Sequence, residues 1–185
     1  DYSLGAASKI SIEGFLKKYS QYPISVLDGV SLANKGADFE VLGNEEIISN
    51  GKGETYGLEF LFQQKLLNNF YGIFSYTYFH SKFSGLTGEY LPSVWDSRNL
   101  ISFVGGYKLQ RNWEVSSRWR YLGETPFVPY NLEESLQNYP NMVLDYSQLG
   151  SEKLDNFNQL DIRVDKKWNR KAFSFNFYFE ILNIL

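Results

Sequence analysis

The residues best equipped for chemistry recur at every second or fourth position. Glu114, Arg118 and Arg120 form one such run, Asp161, Arg163 and Asp165 another, and Glu59, Gln63, Ser75 and Thr77 a milder, earlier version. In an extended strand successive side chains point to opposite faces, so each run gathers on one side. Guanidinium groups beside carboxylates can guide a charged solute, or bond to one another in a salt-bridge and hydrogen-bond lattice. The lattice is the expectation here. Other chemistries lack their parts. His80 is the only histidine and there is no cysteine, so no metal constellation can be assembled around it, and it reads as a polar residue at a loop edge. Gly51, Gly53 and Gly57 precede a strand, where a phosphate cradle needs a helix. Asp155, Asn156 and Asp161 have neither the glycine nor the closing glutamate of a calcium loop. No serine, histidine and acid form a nucleophile motif. The chain is read as no enzyme, with no catalytic, cofactor or metal residue.

The elements that must position these rows are strands. The alternation is clearest from Thr55 to Tyr78, where Tyr56, Leu58, Phe60 and Phe62 oppose Gly57, Glu59, Leu61 and Gln63. After a break at Leu66 to Asn69, Phe74, Tyr76 and Tyr78 oppose Ser75 and Thr77. A first strand is expected over Ser8 to Tyr19, with Ile10 and Ile12 on one face. Further strands follow over Arg98 to Lys108, Trp113 to Tyr121, Leu160 to Trp168 and Phe173 to Ile181. In the third of these five, Trp113, Val115, Ser117, Trp119 and Tyr121 face away from Glu114, Ser116, Arg118 and Arg120. In the last, Phe173, Phe175, Phe177, Phe179 and Ile181 oppose Ser174, Asn176, Tyr178 and Glu180. Between them lie three long polar segments: Ser20 to Gly53, with Gly29, Gly36 and Gly43 among its glycines, then Phe79 to Trp95, and then Gly123 to Phe157. Loops of such length in a compact domain are usually functional. About seven strands thus alternate strictly between very short turns and very long loops.

Composition narrows the environment. Of 185 residues, 18% are aromatic and 21% charged, and the formal net charge of −3 argues against a nucleic-acid partner. No apolar run reaches the ~20 residues of a membrane helix. Two placements of the sheet remain. A soluble barrel would turn its aromatic rows inward, as a lipocalin-like carrier does around an apolar ligand. A membrane barrel would turn them outward to lipid and leave Glu59, Gln63, Ser75, Thr77, Glu114, Arg118, Arg120, Asp161, Arg163 and Asp165 around a wet lumen. Three features favour the membrane. The short-turn, long-loop rhythm is that of outer-membrane barrels. The strands have the ~10 residues that a tilted crossing needs. Aromatics sit at both strand ends: Phe70, Tyr71, Tyr107, Trp113, Trp168 and Phe173 by the short turns, Tyr56, Tyr76, Tyr78, Trp119, Tyr121 and Phe179 towards the long loops. Lys166, on the aromatic row beside Trp168, is expected to carry its ammonium out to the interface.

The ordered series Gly53-Glu-Thr-Tyr-Gly-Leu-Glu59, Ser75-Tyr-Thr-Tyr78, Leu91-Pro-Ser-Val-Trp-Asp-Ser-Arg98, Arg120-Tyr-Leu-Gly-Glu-Thr-Pro126, Asn158 to Trp168 and Glu180-Ile-Leu-Asn183 resembles the C-terminal part of the barrel in TonB-dependent outer-membrane receptors, in its Bacteroidetes form. The resemblance runs from Gly51 onward. It implies an antiparallel up-and-down transmembrane β-barrel of about 22 strands in the outer membrane of a Gram-negative cell. It further implies an N-terminal plug, energy supplied through TonB, and active uptake of a scarce nutrient. Residues 1–185 are then expected to be a partial barrel domain, with the plug domain and closing strand absent. Outer-membrane lipid, TonB and the plug would be partners of the full-length parent, with nutrient cargo at the long loops. A porin-type passive channel is the alternative within the membrane class. The acids Asp28, Asp38, Glu40, Glu45, Glu46, Glu133, Glu134 and Asp145 gather in the long loops, which could attract cationic or metal-chelate cargo or could simply be solvated. The isolated segment, with free strand edges beside exposed aromatics, is expected to self-associate.

Overall fold

The structure is a computed structural model and describes residues 1–35 and 44–185. The glycines Gly36 and Gly43 and the acids Asp38 and Glu40, noted above, lie outside the described residues. The fold is one broad antiparallel sheet, with short turns at one end and long connections, one carrying a small second sheet, at the other. In chain order the elements are β1 (Tyr2–Leu4), β2 (Ser8–Ser25), β3 (Ile47–Leu67), β4 (Phe70–Ser84), β5 (Tyr90–Pro92), β6 (Asn99–Lys108), β7 (Trp113–Leu122), β8 (Thr125–Phe127), helix α1 (Leu132–Gln137), β9 (Glu152–Leu154), β10 (Phe157–Asn169) and β11 (Ser174–Ile181). The sheet runs β1-β2-β3-β4-β6-β7-β10-β11, with β5 paired to β4, while β8 and β9, joined by a long connection that carries α1, form a small two-stranded sheet of their own. Every pairing is antiparallel. The seven long strands follow one another up and down, as the alternation requires, and among the described residues the sheet does not close.

Register places the two patterns on two faces. One row reads Ile10, Phe62, Phe74, Phe103, Trp119 and Leu160 across six strands, and the next reads Ile12, Phe60, Tyr76, Ile101, Tyr121 and Asn158. The opposite face carries Ser75, Ser102, Arg120 and Gln159 in one row and Glu114 opposite Asp165 and then Tyr178 in another. A single slip in any strand would have mixed the two sets. Short turns hold that register. Asn68 and Asn69 take φ of 48° and 67°, the doubly positive pair of a two-residue hairpin whose twist matches its strands. The turn between β10 and β11 is closed by the Arg170 N–H donating to the Phe173 carbonyl, at 2.8 Å.

The largest departure from the sequence expectation lies in the long segments. Ser20 to Gly53 is not one loop, because β2 continues to Ser25 and β3 begins at Ile47. A bulge at Gln21, with φ 55°, shifts the register there. Gly51 and Gly53 are strand residues. A Cβ at Gly53 would stand 2.3 Å from the Phe83 ring, so glycine there makes room for an aromatic lid. Likewise Phe79 to Ser84 extends β4, and His80 lies within that strand. The extensions outrun what a membrane crossing needs: the 21 residues of β3, at ~3.4 Å per residue and tilted by ~40°, would rise roughly 55 Å, about twice the apolar band of a bilayer.

What is packed as a core sits at that outer end. Ile24, Val30, Ala33, Phe79, Phe83, Val128 and Leu149 are buried, and each belongs to a loop or to the loop-side end of β2 or β4. Tyr19, Tyr22 and Trp95 surround Phe83 with ring centroids 4.5–6.0 Å away. By contrast Phe175 and Phe177 are 55% and 56% exposed. The aromatic rows do not turn inward upon one another, so the lipocalin-like arrangement is not the one that forms. Tyr71 also departs from its expected place: it stands opposite Gly106, on the polar face, and is no member of the aromatic girdle by the short turns.

Candidate functional site

The polar face is built on β3, β4, β6, β7, β10 and β11, whose register brings all ten residues predicted above onto one side of the sheet. They do not all meet. Arg118 donates from Nε and Nη2 to Asp161 Oδ2, at 2.8 and 2.5 Å. The other oxygen, Oδ1, accepts from Gln159 Nε2 and from the Asn183 backbone N–H, both at 2.9 Å. Asp161 is thereby buried in a full set of donors. Next to it Arg163 forks onto its near neighbour Asp165 at 2.7 and 2.8 Å. The Arg163 guanidinium carbon also lies 3.9 Å from the centre of the Tyr178 ring, a cation–π contact. Asn176 donates to Asp165, and Arg120 donates to Gln159. These are the members of the expected lattice.

Glu114 is held differently. The Tyr71 hydroxyl donates to it across β6, two strands away. That reach is possible because the intervening residue is Gly106, where a Cβ would come within 2.5 Å of the Tyr71 oxygen. Glu59, Gln63, Ser75 and Thr77 form no side-chain hydrogen bond or ion pair among the described residues, so the lattice occupies β7, β10 and β11 with one arm to β4. Tyr71, Gln159, Asn176, Tyr178 and Asn183 belong to it and are not among the ten predicted residues. The signal for Gln159, Asn176 and Tyr178 was present, since each falls on the charged side of its strand. At the short-turn end of this face lies a pocket of about 490 Å³, lined among others by Tyr71, Lys108, Glu114, Arg163, Asp165 and Asn176.

The long connections make a second feature, a cap. Within it Lys35 donates to Asp28 at 2.5 Å and to Glu45 at 2.6 Å, while the buried Ser25 hydroxyl donates to Glu45 at 2.7 Å. Burial works against the Lys35 charge, but the bonds to Asp28 and Glu45 outweigh it and hold the pKa above the ordinary lysine value. The bond from Lys35, followed by that from Ser25, holds Glu45 below the usual carboxylate range. The three long segments are also tied to one another. Asn34 Nδ2 donates to the carbonyls of Leu91 and Pro92 at 3.0 and 2.8 Å, Val94 N–H donates to Ala33, and the Lys35 ammonium lies 5.8 Å from the Tyr146 ring centroid. Asp28, Glu45 and Asp145 therefore have local partners; Asp145 accepts from Ser147 and Gln148, which lowers its pKa. His80 stacks on Tyr56 with centroids 5.4 Å apart and shares a 2.8 Å hydrogen bond with the Tyr78 hydroxyl. Its Nδ1 is 3.9 Å from Asp96. The described residues hold no group of three or more His, Cys, Asp or Glu able to bind a metal.

None of the curated proteins matches this chain. Among solved structures it is similar to the ferripyoverdine receptor of the outer membrane of Pseudomonas aeruginosa, determined with ferripyoverdine bound. The TM-score is 0.57 and the identity 15%, over 88% of this chain and 19% of the receptor. At that identity the likeness speaks for the fold, and the chain spans about a fifth of that receptor's length. The family described as TonB dependent receptor-like, beta-barrel, matches residues 2–184. Nearly the whole sequence is covered, its strands succeed one another up and down, and one face is aromatic and exposed while the other is charged; the chain belongs to the TonB-dependent receptor barrels of the Gram-negative outer membrane.

Proposed function

We propose that the chain is a section of barrel wall in a receptor that takes up a scarce nutrient actively. In this reading the aromatic face meets hydrocarbon. The polar face, with Glu59, Gln63, Ser75, Thr77, Glu114, Arg118, Arg120, Asp161, Arg163 and Asp165, lines the wet interior. The observation that carries it is the division of a single sheet into two unlike faces, one with Phe173, Phe175, Phe177 and Phe179 exposed and the other with Arg118–Asp161 and Arg163–Asp165 paired. Unpaired charges facing lipid would be prohibitive, and exposed phenylalanines facing water would be wasteful. Short turns then lie on the periplasmic side, and the cap of long loops lies outside, where cargo is first met.

The lattice is wall structure in this proposal, since its donors and acceptors are occupied by one another. Glu59, Gln63, Ser75 and Thr77 leave their groups open to solvent or to the plug. Movement of that plug, drawn through TonB from the periplasm, would admit the cargo. The experiment is uptake by cells carrying the full-length receptor, with and without TonB. Accumulation of the nutrient that abolishes growth limitation only when TonB is present supports active transport. Accumulation at the same rate without TonB would make the parent a passive, porin-type channel.

A further inference from the structure

The aromatic face is not uniform, and its short-turn end has a cationic head and an apolar trough in line. Lys166 sits there between its register partner Trp113 and Trp168, its ammonium 5.0 and 5.6 Å from the two ring centroids. One of its protons goes to the Arg111 carbonyl in the turn between β6 and β7. That bond fixes the ammonium at the rim and leaves two donors free. Arg111, exposed in that turn, and Arg170 and Lys171 in the next one make no ion pair among the described residues. The acids next to Trp113 and Lys166 in the chain, Glu114 and Asp165, point to the other face and are held by Tyr71 and Arg163. Positive charge therefore stands uncompensated on this side of the rim.

Deeper along the same strands the surface is hollowed. Gly72, Gly105 and Ser117 follow one another in register, with Ile162 next in the row. The Phe103 ring folds over Gly105, and beside it a trough of about 250 Å³ lies between Phe70, Tyr107, Val115, Ser117 and Ile162. Ile162 lies four residues from Lys166, a separation of ~13 Å along the strand. A phosphate held at the rim and an alkyl chain descending into the bilayer are separated by such a distance.

We propose that this surface binds one anionic phospholipid of the leaflet on the short-turn side. Lys166 and Arg111 hold its phosphate, Trp113 and Trp168 flank the headgroup, and an acyl chain lies in the trough beside Phe103, over Ser117 and Ile162. Charge complementarity selects an anionic lipid over a zwitterionic one, because nothing on this face of the rim neutralises the cations. The indoles occupy the level that such rings prefer. The proposal rests on the reading of the aromatic face as lipid-facing, and it adds a headgroup-selective position to a surface otherwise indifferent to lipid type.

The test is native mass spectrometry of the full-length receptor in detergent, equilibrated with equal amounts of phosphatidylglycerol and phosphatidylcholine. Retention of the anionic lipid in excess is expected, falling about fivefold for each cation removed in Lys166→Gln and Arg111→Asn. Asparagine tolerates the φ of 57° at Arg111 and so leaves the turn intact. Ser117→Phe, which fills the trough, is expected to lower retention of both lipids without altering their ratio. Equal retention of the two lipids by the wild type, or an undiminished preference in the Lys166→Gln/Arg111→Asn double variant, overturns the site while leaving the membrane reading standing. Failure to retain any phospholipid, together with unperturbed folding of a charged variant on the aromatic face, would instead remove the reading on which it depends.

Discussion

Placing a guanidinium on each face at the same depth gives a direct measure of which face is in hydrocarbon. On β4 the aromatic face runs from Phe70, at the short turn, to His80, beyond which Lys82 and its register partner Glu54 bring back charge. Those ten steps, at ~3.4 Å and tilted by ~40°, rise roughly 26 Å, the height of an outer-membrane barrel's apolar band. The middle of the band falls at Ser75, which faces Leu61 on β3; Phe60, one residue away, is on the opposite face. Phe60→Arg therefore puts its charge near the bilayer midplane, which in such barrels costs about 2–4 kcal/mol. Phe60→Ala removes the same ring, including its contact with Phe74 at 6.1 Å between centroids, without adding charge. The difference between the Arg and Ala variants should reach roughly thirty- to several-hundred-fold in the folded-to-unfolded ratio. Leu61→Arg adds its charge at the same height on the polar face, on the row next to that of Glu59, and should stay within about 1 kcal/mol of wild type. Urea titration of the full-length receptor in phospholipid vesicles, followed by tryptophan fluorescence, reads all three. If Leu61→Arg proves as destabilising as Phe60→Arg, or more so, the assignment of the faces is wrong.

Four further outcomes follow from particular contacts. Gly53→Val drives a side chain into the Phe83 ring and should cost about 1–3 kcal/mol in thermal or urea unfolding, whereas Gly14→Ala meets only the far end of Leu58 at 3.4 Å and should be nearly silent. Asp161→Asn should lower the unfolding midpoint more than Arg118→Ala, because the first disturbs four hydrogen bonds at a buried residue and the second leaves Gln159 and Asn183 in place. The Lys35 clasp should respond to pH at both extremes. The lowered Glu45 pKa makes its contribution present above about 4.5 and lost as pH falls, and the raised Lys35 pKa makes its contribution present below about 10.5 and lost as pH rises past it. Amide protection factors in the segment around Ser25 and Asp28, taken against the intrinsic exchange rate at each pH, should fall in acid, and Lys35→Met should show that lowered protection already at neutral pH. The isolated 185-residue chain should form oligomers in buffer, since β11 pairs on one side only and its phenylalanines are exposed; light scattering from a stable monomer would contradict this.

Legibility in the sequence tracked the contrast between the two faces. Trp113 to Tyr121 was located to within a residue of β7, because Trp and Val alternate there with Glu and Arg. The same contrast bounds β11 to within a residue and finds β10, though it starts that strand three residues late, and it puts Asp161, Arg163 and Asp165 on one face. It fades above Tyr19 on β2 and before Thr55 on β3, where the polar side is covered by the cap. Tyr22, Pro23 and Ile24 then pack against protein, and Gly51 and Gly53 accommodate side chains of neighbouring strands. With both sides touching protein the period-2 signal has nothing to distinguish, so strand read as loop. Tyr71 carries an aromatic ring beside Phe70 and so reads as a girdle residue, although the alternation of Phe74, Tyr76 and Tyr78 against Ser75 and Thr77, carried back along β4, puts position 71 with the serine; register and the reach over Gly106 to Glu114 agree with the alternation.

The knotting of the long connections limits how they can respond to a visitor. Asn34 grips the strand at Leu91 and Pro92, Gly150 abuts Pro92, and Lys35 reaches both its own loop and the ring of Tyr146. Moving any one of the three away from the others breaks these contacts. Shortening any single loop should therefore disturb the remaining two, and combined deletions should do less additional harm than their separate effects suggest.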